Sequence, residues 1–232
     1  MNALVLIPTY NERENLPPLL NDILSHPGVR VMIIDDQSPD GTGEVADRLA
    51  TDWPGRVEVL HRAGRRGLGR SLLDGLARAV TRSDELVFQM DADLSHDPKY
   101  LPAMAAAAQQ ADLVIGSRYL SGVSVVNWPL RRIMLSAFAN RYIRTVTRLA
   151  VRDCTSGYRC WRREALARLP LDRIGSEGYA FLVEMLYLAQ RAHCRIVESP
   201  IIFVERRKGV SKMSLKVLWE SAITPWRLLL GR

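Results

Sequence analysis

Short, almost purely apolar runs alternate with longer mixed stretches through the first half of this chain. The runs Ala3–Ile7, Val29–Ile34, Val57–Leu60, Leu86–Met90 and Leu113–Ile115 read as buried strands. Between them, apolar residues recur at helical spacing over Glu12–Leu24, Gly43–Ala50, Gly69–Val80 and Pro98–Ala108. Strands separated by helices of this length predict βαβ units, hence an α/β fold with a mostly parallel sheet and helices on both faces. Ligands of such sheets bind beyond the carboxyl ends of the strands. Three polar clusters fall there: Pro8-Thr9-Tyr10-Asn11-Glu12, Asp35-Asp36-Gln37-Ser38-Pro39-Asp40-Gly41-Thr42 and Asp91-Ala92-Asp93.

The second half is more helical. Leu130–Leu149 carries an apolar stripe of Leu135, Phe138, Tyr142, Val146 and Leu149, which predicts core packing. Arg141, Arg144 and Arg148 lie on another face, the usual pattern of a solvated side. A helix is expected near Tyr179–Ala192, with short strands at Arg195–Glu198 and Ile201–Val204. Met213–Leu230 spaces its apolar residues along one helical face, and Pro225 is expected to kink it or start a new segment. This divides the chain into an α/β domain over 1–212 and an amphipathic segment over 213–232.

Charge separates the two halves. Residues 1–117 carry 11 Lys and Arg against 17 Asp and Glu; the remainder carries 21 against 8. An acidic half suits a metal ion, and a basic half suits phosphate, anionic headgroups or nucleic acid. The 232 residues allow one substantial core. No apolar run reaches the roughly 18 residues of a spanning helix. The N-terminus lacks the layout of a signal peptide. Cys154, Cys160 and Cys194 have no metal-like spacing and read as reduced thiols, so a cytosolic protein is expected.

Asp91 and Asp93 follow the strand Leu86–Met90 and alternate past its end. Neighbouring exposed carboxylates repel unless a cation lies between them. A hard ion such as Mg²⁺ or Mn²⁺, bridging to substrate phosphates, fits that need; two solvated surface acids are the plainer alternative. Tyr10 could stack beside a base and Glu12 accept from base or ribose, or the segment could be only a turn. Asp36 could accept from a ribose hydroxyl, whereas Asp40 and Thr42 are also good helix caps. Arg65-Arg66-Gly67-Leu68-Gly69 suits phosphate without matching a P-loop or dinucleotide pattern. Arg118, at the end of the fifth strand, could hold a phosphate. So could Arg131 and Arg132, with Ser136 one turn on. Arg206 to Lys212 is a basic loop without aromatic stacking platforms, which argues against nucleic acid. It suits a loop over a diphosphate beside a membrane surface.

Taken in order, these segments, with Met90 to His96, Gly116 to Tyr119 and Asp153 to Arg159, resemble family 2 glycosyltransferases of the dolichol-phosphate or polyprenol-phosphate mannose synthase kind. The resemblance implies a GT-A fold, with 1–212 as the catalytic domain, and inverting transfer of mannose from GDP-mannose to a polyprenyl phosphate, with Mg²⁺ or Mn²⁺. It implies that Pro8, Tyr10, Glu12, Asp36, Asp40 and Ala92 hold the nucleotide. Asp91 and Asp93 would serve the metal and diphosphate, with Arg118 joining them in catalysis. Arg118, Arg132 and Ser136 would face the acceptor phosphate, and Arg206 and Lys212 would lie over the diphosphate. Some relatives carry Gln at Ser95, so a metal contact by its shorter hydroxyl is not implied. Others have transmembrane helices after the catalytic domain; here the final amphipathic segment, the basic half or a partner subunit would serve at the cytoplasmic face. A UDP-glucose-dependent glucosyltransferase, a sugar-phosphate nucleotidyltransferase and a non-catalytic basic membrane-binding module stand as alternatives.

Overall fold

A computed structural model describes residues 1–205 and 215–230. In chain order the strands are β1 (Ala3–Thr9), β2 (Val29–Asp35), β3 (Val57–His61), β4 (Leu86–Gln89), β5 (Leu113–Ser117), β6 (Val125–Val126), β7 (Arg159–Arg162), β8 (Ile196–Pro200) and β9 (Phe203–Val204). The helices are α1 (Leu16–Leu24), α2 (Thr42–Asp52), α3 (Leu68–Ala79), α4 (Leu101–Ala107), α5 (Leu130–Thr147), α6 (Arg163–Leu166), α7 (Gly178–Arg191) and α8 (Leu215–Leu229). Seven strands form one sheet in the order β3-β2-β1-β4-β7-β5-β8, and β6 pairs with β9 in a separate ribbon.

Strand β1 explains the sheet's place. Its side chains alternate between two cores: Leu4 and Leu6 join Ile34, Leu76, Trp161 and Phe181, while Val5 and Ile7 join Leu19, Ile33 and Met104. A strand buried on both faces must be apolar throughout, which is why its sequence reads as an unbroken run. Helix α1 starts with Pro17 and Pro18, whose missing N–H groups cost nothing in a first turn, and buries Leu16, Leu19, Leu20, Ile23 and Leu24. Helix α3 lies so close to the sheet that a Cβ built on Gly75 would stand 2.4 Å from the Ile34 Cδ1.

The predicted parallel α/β sheet is present, with one strand the pattern did not reveal. Strand β7 is antiparallel to both neighbours, β4 and β5. Its first residue, Arg159, pairs with Gln89 and Ile115, near the carboxyl ends of those strands. The segment leading into β7 therefore reaches the same sheet edge as the loops leaving β1, β2, β4 and β5.

One expectation for the second half needs correction. In the α5 stripe Tyr142 and Val146 are half-buried and Leu149 is buried, but Leu135 and Phe138 are exposed, Phe138 at 68%. The helix seats instead on Asn140, Ile143 and Thr147, so the N-terminal part of the stripe lies outside the core. Helix α8 runs through Pro225 as one segment, in keeping with the first of the two expected alternatives, a kink within it. No helix of the described residues is long and apolar enough to cross a membrane.

Candidate active site

The loops after β1, β2 and β3 are bound to one another. Asn11, in the left-handed region at φ 61, donates its N–H to the Ser38 hydroxyl at 3.1 Å. The Glu12 N–H reaches Thr42 Oγ1 at 2.9 Å, and the Glu12 carboxylate accepts from Asn15 at 2.8 Å. Asp40 accepts from the N–H and hydroxyl of Thr42 and from the Arg13 N–H. Burial works against its charged form, but these hydrogen bonds prevail and hold the carboxyl below its ordinary value. Asp40 therefore ties the loop before α2, whose N-cap is Gly41.

Asp36 is buried at the end of β2. It forms an ion pair with Arg62 and accepts from the Gly67 N–H at 2.7 Å. Gly67 thus anchors the Arg65–Gly69 loop to a predicted nucleotide residue. Gly67 has φ 150, a conformation in which a side chain would be strained. Arg66 lies over Tyr10, with its guanidinium 5.3 Å from the ring centroid and one N–H donating to the phenol oxygen at 3.0 Å. Pro8 pairs with Ile34 within the sheet, at the entrance to this corner.

The two carboxylates after β4 are not equivalent. Asp91 has a side chain 41% exposed, whereas Asp93 is buried and accepts from both the N–H and the hydroxyl of Ser95. Ala92 is buried between them. The Ser95 hydroxyl is thus turned to Asp93 rather than to solvent. His96 is buried beneath Asp91: its Nδ1 accepts the Asp91 N–H at 3.0 Å, and its ring stacks on Tyr158 at 4.9 Å. Among the described residues no group of three His, Cys, Asp or Glu is placed to hold a metal ion. Two carboxylates remain, a donor set that a hard divalent cation accepts while taking its other oxygens from phosphates and water.

The third corner is basic and aromatic. Asp153 accepts from Arg118 Nε and Nη2, each at 2.7 Å, and from the Arg118 backbone N–H at 3.0 Å. Burial disfavours the Asp153 carboxylate, but the Arg118 charge and these bonds outweigh it and hold the carboxyl below its usual range. The Arg118 guanidinium lies 5.5–5.6 Å from the ring centroids of Tyr119, Trp128 and Phe203. Arg132 lies 4.1 Å from the Trp128 ring and forms an ion pair with Glu205. Ser136 accepts from the Tyr119 hydroxyl at 2.8 Å. Phe203 meets His96 edge-on at 5.6 Å and Trp128 at 5.5 Å, so one aromatic chain joins the Asp91 loop to both arginines.

The structure therefore gathers Arg118, Arg132 and Ser136 in one corner. Arg206 and Lys212 lie outside the described residues. Sequence reasoning assigns no separate role to His96, Trp128, Phe203 or Asp153. Only Asp153 carries a signal there, as an acid opening a polar turn. Two thiols are unreactive by environment: burial pushes Cys154 up to about 12 and raises Cys160 as well.

A parallel sheet with one reversed strand, acidic loops at one end and a basic corner beside them are the layout of a GT-A-type fold. Residues 4–169 match the family described as glycosyl transferase family 2. The chain is 46% identical over 214 residues to polyprenol monophosphomannose synthase of Mycolicibacterium smegmatis, covering 91% of this chain and 81% of that one. It is 44% identical to undecaprenyl-phosphate mannosyltransferase of Micrococcus luteus, over 98% and 95% of the two chains. It is 34% identical to dolichol-phosphate mannosyltransferase of Pyrococcus furiosus, over 99% of this chain and 64% of that one. Glucosyl-3-phosphoglycerate synthase from Mycobacterium tuberculosis, solved with Mn²⁺, UDP and phosphoglyceric acid, shares the fold. Its TM-score is 0.69 at 18% identity, over 99% of this chain and 78% of that one. This chain belongs to glycosyl transferase family 2.

Proposed function

We propose that this enzyme transfers mannose, with inversion, from GDP-mannose to the phosphate of a polyprenyl lipid, with Mg²⁺ or Mn²⁺ at Asp91 and Asp93. The observation that carries this reading is the meeting, at one sheet edge, of the β1, β2 and β4 acidic loops with the Arg118–Arg132 corner. The three curated relatives, each named for mannose transfer to a polyprenyl or dolichyl phosphate, support the choice of sugar and acceptor.

The acceptor nucleophile is a phosphate oxygen. With a second pKa near 6 it is mostly dianionic at neutral pH, so no strong general base is needed. The obstacle is electrostatic, because an anion must approach a diphosphate sugar. A bound divalent ion supplies charge for the departing diphosphate. Asp93, held by Ser95, and Asp91, held through its N–H by His96, fix the ligands in advance. Arg118 is fixed by Asp153 and flanked by rings, so its charge requires no reorganisation when the acceptor arrives. Tyr10, Glu12, Asp36 and the neighbouring Arg66 form the nucleoside side of the cleft. The protein would work at the cytoplasmic face of a membrane, held peripherally by α5 and α8 or by an anchoring subunit. The exposure of Leu130, Met134, Phe138, Trp226 and Leu229 supports this placement.

The test is a donor panel. GDP-[¹⁴C]mannose and UDP-[¹⁴C]glucose are each incubated with a polyprenyl phosphate, with Mn²⁺ or with chelator. Organic-extractable label from GDP-mannose, dependent on metal, is the expected result. Label from UDP-glucose alone, or release of pyrophosphate without extractable label, overturns the reading.

A further inference from the structure

We propose that a groove along the C-terminal half of α5, adjoining the acceptor corner at Tyr119, binds the phosphate headgroups of anionic phospholipids. This rests on the membrane-borne acceptor proposed above. The groove has a volume of about 650 Å³ and is lined by Arg141, Arg144, Arg148 and Arg152, with Tyr119 and Thr145 among its other walls. All four arginines are exposed, and no carboxylate lines the groove. Among the described residues none of the four side chains forms an ion pair. The Arg152 guanidinium donates instead to the Leu120 carbonyl at 2.8 Å. Glu198, the nearby acid, is engaged by the backbone N–H groups of Arg152 and Asp153.

Arg141, Arg144 and Arg148 recur at i, i+3 and i+7, so their like charges share one helical face and repel unless an anion lies among them. The occupant is indicated by what precedes them. Leu130, Met134 and Phe138, at i, i+4 and i+8, are all exposed, and Arg141 falls on the same face about three turns after Leu130. The outward side of α5 is thus divided along its axis, apolar first and basic second. A soluble anion has no use for the apolar half, whereas a bilayer offers acyl chains and phosphates side by side. Helix α8 brings more exposed apolar surface alongside α5. Its Ile223, Trp226 and Leu229 are exposed, and it is tied to α5 where Trp226 Nε1 donates to the Tyr142 hydroxyl at 2.8 Å. That hydroxyl in turn donates to the Ala222 carbonyl at 2.7 Å.

The full chain is tested with vesicles of phosphatidylcholine alone or with phosphatidylglycerol added. The parent binds the anionic vesicles preferentially, and the preference falls with salt. An R141Q/R144Q/R148Q variant loses about 100-fold in partitioning onto them, while the corresponding triple Lys variant keeps it. Turnover of a water-soluble short-chain prenyl phosphate stays at the parent's level in both variants. Unchanged vesicle binding by the Gln variant overturns the proposal. So does a raised KM for the soluble acceptor at unchanged vesicle binding, which assigns the groove to the acceptor's own phosphate. Glycerol 3-phosphate saturating the parent without vesicles, and not the Gln variant, would assign it to a free anion and also overturn it. If the parent transfers sugar to no prenyl phosphate yet shows the vesicle pattern, the functional reading fails while the lipid site stands.

Discussion

Arg132, in the first turn of α5, is ion-paired with Glu205, a residue 73 positions further along the chain. The carboxylate thus occupies the guanidinium proposed to receive the acceptor phosphate. The two anions compete, and the side chains are 27% and 28% exposed, so the competition is modest. Glu205→Gln is expected to lower the KM for polyprenyl phosphate up to about fivefold, the equivalent of a partly exposed pair, and to leave donor affinity unaltered. Acceptor titrations at saturating donor check this; an unchanged or higher KM contradicts it.

The two carboxylates after β4 and the Ser95 hydroxyl that holds one of them give a graded result. Asp91→Ala and Asp93→Ala should each lower transfer by about 10²–10³-fold. Ser95→Ala removes the hydroxyl that Asp93 accepts but keeps the backbone N–H. Its loss should be nearer tenfold, and higher Mn²⁺ concentration should recover part of it. Rate measurements across a Mn²⁺ series distinguish these cases.

The Arg118–Asp153 pair carries a pH signature. Asp153 titrates below its ordinary value of 3.8 in the folded protein. Its stabilising contribution is therefore complete above that value and disappears as pH falls through the lower native one. Asp153→Asn leaves Arg118 buried without its counter-charge and should cost about 3–5 kcal/mol at pH 7. The difference between parent and variant should shrink below pH 3.8. Urea unfolding at neutral and acid pH measures both terms, and a difference independent of pH refutes the assignment.

Gly75 offers a test of the fold alone. A methyl group there meets Ile34 Cδ1 at 2.4 Å, so α3 or the Ile34 side chain must move. Gly75→Ala should lower stability by about 1–3 kcal/mol despite alanine's better helix propensity. Pairing it with Ile34→Val should recover part of the loss. Thermal melts of the two variants decide it.

The parallel half of the sheet is legible in the sequence because strands buried on both faces leave unbroken apolar runs, and amphipathic helices separate them. Strand β7 is not, because Arg159-Cys160-Trp161-Arg162 begins and ends with charge. Arg159 is nonetheless buried. It donates to the carbonyls of Ser156 and Cys154, and burial lowers it to about 10. Helical spacing locates the face of α5 but does not say what covers it, so Leu135 and Phe138 read as interior residues. Arg118 is recognisable as a candidate cation. Its partner Asp153, 35 residues away, and its aromatic neighbours are not, since those contacts exist only once the chain folds.

The place of β7 between β4 and β5 separates the two sides of the site along the chain. Most of what shapes the proposed acceptor corner, from Arg118 through Trp128 and Arg132 to Asp153, is one continuous segment that leaves the sheet at β5 and rejoins it at β7. The proposed nucleotide residues are encoded upstream, before β5. Substitutions in that segment can therefore reshape the proposed acceptor corner while the loops that follow β1, β2 and β4 keep their own sequence.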